Sequence, residues 1–495
     1  MTNSVIEAHA AESDHSGHAR AHFSWRSWLM RLRTWLALPQ GDMGVRVTLI
    51  AFTLAFQNYL EAPRDILTQT LGSLVSGLFA FLALVASLIL LGLALRERPP
   101  AWRWLRSRWT KRLALIVSLV AAIVGVRQLG VMVINSFQTP LYPNDGSILD
   151  QYAAHQLLAG HNPYVTSNIV TAIHLYHQKP QYTTPLRNGP FANYAWTNLP
   201  TAAERTAAFP ARASDPEAIT GFETKLSYPA MSFLPLVPFV WAGLPSVVLA
   251  TALCWFILVF LIIRITPPEW RIWIGLLALA DVPLLNAAGI ASPDALYVLP
   301  LFVAWRWRGR GWLSSLMLGL ALAAKQLAWF SAPFYAILIW RERGWRAALG
   351  RLAGAGALFV AVNLPFFVNN PRAWLAGVLA PEVAPMFPQG NGLVRLALSG
   401  VMPLAPASLY TTLEALVMVG ALVWYWRNCL RAPAIGYALA VAPLYVAWRS
   451  LTTYFYFAAL PALALLLPAR HSRVAPGAIL GADGPADGQK EARAL

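Results

Sequence analysis

Charge is the scarcest commodity in this 495-residue chain. Asp, Glu, Lys and Arg together make up 12% of it, against 57% hydrophobic residues. A soluble domain of ordinary composition carries roughly 25% charge. The deficit takes the form of repeated apolar runs, which excludes a soluble protein and defines an integral membrane one. Cysteine is nearly missing: Cys254 and Cys429 lie in or at the ends of apolar runs, outside any cysteine framework. That excludes a disulfide scaffold and leaves both as packing residues. No Walker-type loop, GxSxG, HExxH or sugar-nucleotide signature occurs, which removes the common phosphate-loop, esterase and zinc-protease readings. Acidic residues are outnumbered, and the net charge is +16. The surplus cations sit between apolar runs, where membrane topology places them, and so nucleic acid is not expected as a partner.

Apolar runs place candidate spans at 44–60, 72–95, 112–135, 245–264, 272–289, 294–307, 312–324, 327–340, 347–367, 409–427, 433–448 and 453–468. The fold class is an all-α polytopic membrane protein with about 12 (11–13) transmembrane helices. Basic clusters lie at Arg20–Arg33, Arg96–Arg112, Arg264–Arg271, Arg306–Arg310, Arg341–Arg351 and Arg427–Arg431. Placing all of them in the cytoplasm of a cell membrane puts both termini inside and the loop 136–228 outside. Residues 1–42 read as a polar cytoplasmic tail without a cleavable signal, 43–470 as one transmembrane domain, and 471–495 as a second tail. His9, His15, His18 and His22 belong to the first tail, where solvation is a better reading than metal binding.

Two segments resist this scheme. Residues 228–243 are apolar but hold Pro229, Pro235 and Pro238, and a full span there breaks the downstream charge pattern, so a re-entrant segment or short span is expected. Residues 312–340 are short for two spans and long for one, which places the turn at Lys325 near the outer face or partly sunk in the membrane.

The external loop, at about 90 residues, far exceeds the roughly 12–15 beyond which loops are usually functional or disordered. It opens on YPNDGSILDQYAAHQLLAGHNPY, Tyr142 to Tyr164. Leu149, Tyr152, Ala153 and Leu157 share one helical face, so this run reads as a helix along the interface, anchored by Tyr152 and Tyr164 and stopped at Gly160. Asp145 is either the N-cap of that helix or a carboxylate general base at the membrane surface. Asp150 and His155 fall away from the buried face, where they are solvated or else line the site. Asp294 is a helix-start acid, or it orients a substrate hydroxyl or pairs with Lys325. An ionisable residue at membrane depth is a functional candidate by default, and Lys325, Arg395 and Arg449, with Lys225 in reserve, are candidates for binding phosphate. His174 and His177, at i and i+3, could share a metal, but no nearby acid completes a site. Tyr176, Tyr182, Tyr194 and Trp196 could stack on sugar rings or serve as interface aromatics. An outer-face transferase has no access to cytosolic nucleotide sugars and must draw its donor from the membrane.

Taken in order, an apolar span, an acid, DQY…LLAGHNPY, Tyr228-Pro229 before an apolar segment, and SPDALYVLPLFVAWRWRGRGWLSSLMLGLALAAKQLAWFSAPFY resemble bacterial GT-C superfamily glycosyltransferases, especially the polyprenyl-phosphate-mannose-dependent α-mannosyltransferases. The likeness is strongest over 140–340 and vaguer over 360–460, where GNGLVRLALSG and the Arg449–Tyr454 stretch carry it. It implies a GT-C-like fold and an inverting transfer of mannose or a similar sugar from a polyprenyl-phosphate donor to a glycan, lipid or protein acceptor. Asp145 is then the base, and Asp150, Lys225, Tyr228, Asp294, Lys325, Arg395 and Arg449 are the residues for substrate and donor. Many members have two adjacent acids where this chain has Asn144-Asp145, a gap that Asp150 could fill, and a second proline where it has Ala230. No cofactor is expected; a divalent cation stays open as the lesser alternative. The competing reading is a transporter or flippase for lipid-linked sugars, but the internal repeats it predicts are not evident.

Overall fold

The computed structural model describes residues 41–61, 64–138, 141–211 and 219–467. Residues 1–40 and 468–495, read above as tails with their histidines and the first basic cluster, lie outside these residues, as does the stretch 212–218 of the long loop. The described residues are predominantly helical; their strands, Gln389–Gly390 and Arg449–Ser450, are two residues each and pair in parallel.

Among the described residues five helices are long and apolar enough to cross a membrane: Gly72–Leu95, Arg108–Asn135, Val248–Ile265, Trp345–Asn369 and Ala407–Asn428. Pro268–Ala280 and Val282–Gly289 form a pair bent by 59° that counts as a sixth if taken as one span. Most other expected spans fall on helices as well, Gly41–Glu61, Asp294–Arg306, Gly311–Ala324 and Ser331–Arg343. Those expected at 433–448 and 453–468 are broken into short turns. The proline-rich segment is a chain of short turns, Ala230–Ser232, Leu234–Leu236 and Val237–Trp241. At about 1.5 Å per residue it reaches far less than the ~30 Å hydrocarbon thickness.

Large apolar side chains point outward in the middle of the spans: Ile116, Val120 and Ile123 on one, Leu416, Val419 and Val423 on another. A patch of this kind would associate in water and is at ease in lipid. The opposite face of Arg108–Asn135 buries Ala114, Ser118, Ala122 and Gly125. Small residues let helix backbones approach closely, the usual basis of packing between membrane helices. The approach is tightest at Gly125, where a Cβ would run into the Leu279 carbonyl oxygen.

Three of the basic clusters, at 306–310, 341–351 and 427–431, meet at one end of the bundle. Arg308 pairs with Glu342 at 3.0 Å, Arg351 donates to the Arg308 carbonyl at 3.0 Å, and Arg341 donates to the Trp426 carbonyl at 2.9 Å. Asn135, where Arg108–Asn135 ends, leads at the other end into the loop that carries Asp145.

Gly125→Ala should therefore cost about 1–3 kcal/mol through forced separation of the helices. It should lower the thermal unfolding temperature in detergent. Gly130→Ala, on the same helix with nothing within 4 Å of a new Cβ, should not.

Candidate active site

The loop helix Asp145–Leu158 is capped by Asn144, whose Oδ1 accepts from the Ser147 N–H at 2.8 Å and the Ser147 hydroxyl at 3.0 Å. Capping therefore does not occupy Asp145. Its carboxylate accepts one hydrogen bond, from the Thr184 N–H at 2.8 Å, and is partly exposed. The carbonyl of Thr184 accepts from the Glu223 N–H at 3.0 Å. One extended residue thus links Asp145 to a second acid that sequence reasoning passed over. Glu223 is 5% exposed, and burial pushes its carboxyl up to about 7. The negative charge of Asp145 adds to that rise, while the Lys225 N–H (2.9 Å) and the charges of Lys225 and Arg449 oppose it. Its signal in the sequence was position alone, an acid five residues before Tyr228.

The loop helix does not lie at an interface on one face. Gly146 through Ala154 are all buried, because neighbours cover the helix on every side. Asp150, expected at a solvated or site-lining position, is 1% exposed, whereas His155 is exposed and stacks near Tyr176. Asp150 Oδ1 accepts from the Ser232 hydroxyl at 2.7 Å, and Oδ2 has no hydrogen-bond partner among the described residues. Burial raises its carboxyl to about 7, in spite of Ser232 and the positive charge of Lys325.

Asp294 and Lys325 meet as a buried ion pair at 2.6 Å. Asp294 also accepts from the Ser292 hydroxyl at 2.6 Å. The turn before it closes the helix Val282–Gly289 with Ala291 in the left-handed region (φ 56°), and Ser292 N–H bonds back to Ala287. This is a Schellman ending that holds alanine where glycine is usual. Lys325 lies 5.4 Å from the centroid of the Tyr228 ring. Tyr228 is mostly buried, and its phenol is raised well above the ordinary value by burial and then by the charges of Asp294, Asp145 and Asp150. The ring therefore marks where the three acids converge. Its backbone is clamped: Tyr164 donates to the Tyr228 carbonyl at 2.8 Å, Gln326 to that of Ser227 at 2.6 Å, and Ala230 N–H to Asn363 at 3.0 Å. Tyr164, expected as an interface anchor, is instead a buried strut.

Arg449 is held by the strand pair with Gln389–Gly390. The pairing requires Gly390 (φ 121°), where a Cβ would strike the Ser450 carbonyl. Arg449 contacts Met386 Sδ through Nη1, while its Nε is buried without a hydrogen-bond partner among the described residues. The segment 183–187 bonds to both neighbouring strips, Leu186 N–H to Gly221 and Arg187 N–H to Pro385, and so carries Met386 and Arg449 alongside Glu223 and Asp145. Lys225 is exposed beside Glu223. Arg395 sits against Gly77 and Ser399, beside the helix Arg64–Leu95.

Tyr194 and Trp196 are engaged in packing. Phe191, Phe222 and Phe387 form a core against which Tyr194 and Trp196 pack, and Arg187 covers the Trp196 ring at 4.7 Å. The helix Ile169–Leu175 stops before His177, which closes it with φ 51°, so His174 and His177 do not share a helical face.

Residues 226–446, a little under half the chain, match the model of glycosyltransferase family 87, a GT-C type membrane family. The protein is a glycosyltransferase, and the resemblance to the GT-C superfamily is borne out. Tyr228, Asp294, Lys325 and Arg395 fall inside the match; Asp145, Asp150, Lys225 and Arg449 fall outside it. No curated protein and no solved structure matches the chain.

A carboxyl raised in the folded state contributes stability that is complete in acid and is lost as pH rises through its folded value. Thermal stability should therefore fall between about pH 4 and 8, the range set by Asp150 and Glu223. Asp150→Asn should flatten part of that decline, with Glu223 supplying the residual slope. An unchanged slope would mean that Asp150 ionises freely.

Proposed function

We propose that the protein is an inverting transferase that moves a sugar, mannose or a similar hexose or pentose, from a polyprenyl-phosphate donor to a glycan, lipid or protein acceptor. Asp145 is the general base. The observation that carries this reading is that Asn144 takes the capping role and leaves the partly exposed Asp145 carboxylate, beside the charged cluster, with one backbone hydrogen bond among the described residues. The acceptor hydroxyl gives its proton to Asp145. Its oxygen bonds to the anomeric carbon on the face opposite the phosphate, and the bond from that carbon to the phosphate oxygen breaks, with the electron pair leaving on phosphate. A positioned base contributes about 10²–10⁴-fold to such a step.

The charge gathering on the leaving phosphate calls for fixed cations. Arg449 supports this role best, because its buried Nε is a donor in want of an acceptor. Lys225 is exposed beside it. Lys325 is committed to Asp294, but an ammonium has three protons and two remain to direct at a ligand. On this reading the pair's work is to hold Tyr228 and the acids in register. With the basic clusters on the cytoplasmic side, the loop and its acids face outward and both termini inward.

Transfer from radiolabelled polyprenyl-phosphate sugars by purified protein tests the proposal. Asp145→Asn should lose at least about 100-fold in rate with donor binding near normal. Arg449→Ala should weaken donor binding. Full activity in Asp145→Asn would remove it from the mechanism, and labelled lipid crossing proteoliposome bilayers without transfer would favour a flippase.

A further inference from the structure

At the end of the bundle remote from Asp145, a cavity of about 590 Å³ opens between the ends of the helices Arg64–Leu95 and Ala407–Asn428. Arg106 pairs with Asp42, and Arg46 donates to the Glu97 carbonyl at 2.8 Å, so the start of Arg108–Asn135 lies at the same end. That helix has 28 residues, about 42 Å of rise, between this end and the loop. The cavity is thus separate from the cluster around Tyr228.

Its walls change character along the span. Ile89, Leu93 and Trp424 form an apolar side continuous with outward-facing span residues, while Arg96, Arg98 and Arg431 form the rim. None of the three guanidinium groups has an ion pair or a side-chain hydrogen bond among the described residues, and one carboxylate, Glu97, shares the rim with them. Arg308, Arg341 and Arg351, in neighbouring basic clusters, are by contrast engaged, the first with Glu342 and the other two with backbone carbonyls. Three unengaged planar donors are thus concentrated at the mouth of a recess open to the lipid-facing side. Guanidinium forks match phosphate oxygens, a tryptophan suits the level of the headgroups, and basic recesses between spans are a recurring way to hold anionic lipid.

We propose that this recess binds the phosphate headgroup of an anionic phospholipid, with Arg96, Arg98 and Arg431 on the phosphate and Leu93 and Trp424 against the first part of the acyl chains. The site would select acidic from zwitterionic lipid at a point remote from the chemistry, whatever the reaction proves to be.

Native mass spectrometry of the full chain, released from micelles doped with phosphatidylglycerol or phosphatidylcholine, tests this. Wild type should retain phosphatidylglycerol at collision energies that strip phosphatidylcholine. R96A/R98A/R431A should retain at least tenfold less, R431A alone at least threefold less, and R96K/R98K/R431K should stay within threefold of wild type. A control of equal charge loss, R264A/R343A/R346A, should retain it normally. Equal retention of both lipids, equal loss in the control, or displacement of the lipid by inorganic phosphate at equal concentration would overturn the assignment.

Discussion

The buried pair of Asp294 and Lys325 is the constraint around which the charged end of the molecule is arranged. Both side chains are almost wholly withdrawn from solvent, at 6% and 7% exposure. Neither charge could be carried to that depth alone, and removal of one partner from such a pair typically costs about 3–5 kcal/mol. The pair therefore dictates local backbone. The helix Gly311–Ala324 ends as Lys325 turns extended (φ −155°), and Asp294 stands first in its own helix after a left-handed alanine. Between them they fix the face that Tyr228 packs against, and through Tyr228 the distance between the loop acids and the bundle.

Much of this was legible in the sequence because membrane proteins write their helices in long apolar words. The spans 72–95 and 112–135 were readable from composition, as was the opening of the loop at Asp145. The pairing of Asp294 with Lys325 could be anticipated, since two ionisable residues at membrane depth have few other partners. The environment of the loop helix was not readable. Leu149, Tyr152 and Ala153 made one apolar face, and nothing in that pattern tells that other elements cover the remaining ones. The burial of Asp150 was hidden for the same reason: a carboxyl looks solvated until the hydroxyl that bonds one of its oxygens, that of Ser232, is brought from 82 residues away. Glu223 was invisible because its carboxylate accepts from a backbone N–H, that of Lys225, and backbone carries no sequence signal. The ring-stacking role imagined for Trp196 gave way to loop packing, where its face is covered by Arg187.

The absence of a second acid beside Asp145 acquires a physical meaning. Aspartate and asparagine cap helices about equally well. At position 144 the amide does so without placing another negative charge next to Asp145 and Glu223. The chain keeps the carboxylate count around Tyr228 at a level that Lys325, Lys225 and Arg449 can balance.

The two-residue strand pair also governs when the cluster can exist. Gln389–Gly390 and Arg449–Ser450 join only after a ribosome has added roughly 300 residues beyond Asp145. Until the last helices are laid down, the loop has its acids but lacks the guanidinium that faces them. A nascent or truncated chain in the membrane is thus electrostatically unfinished, and the order of synthesis itself withholds the complete site until assembly is over.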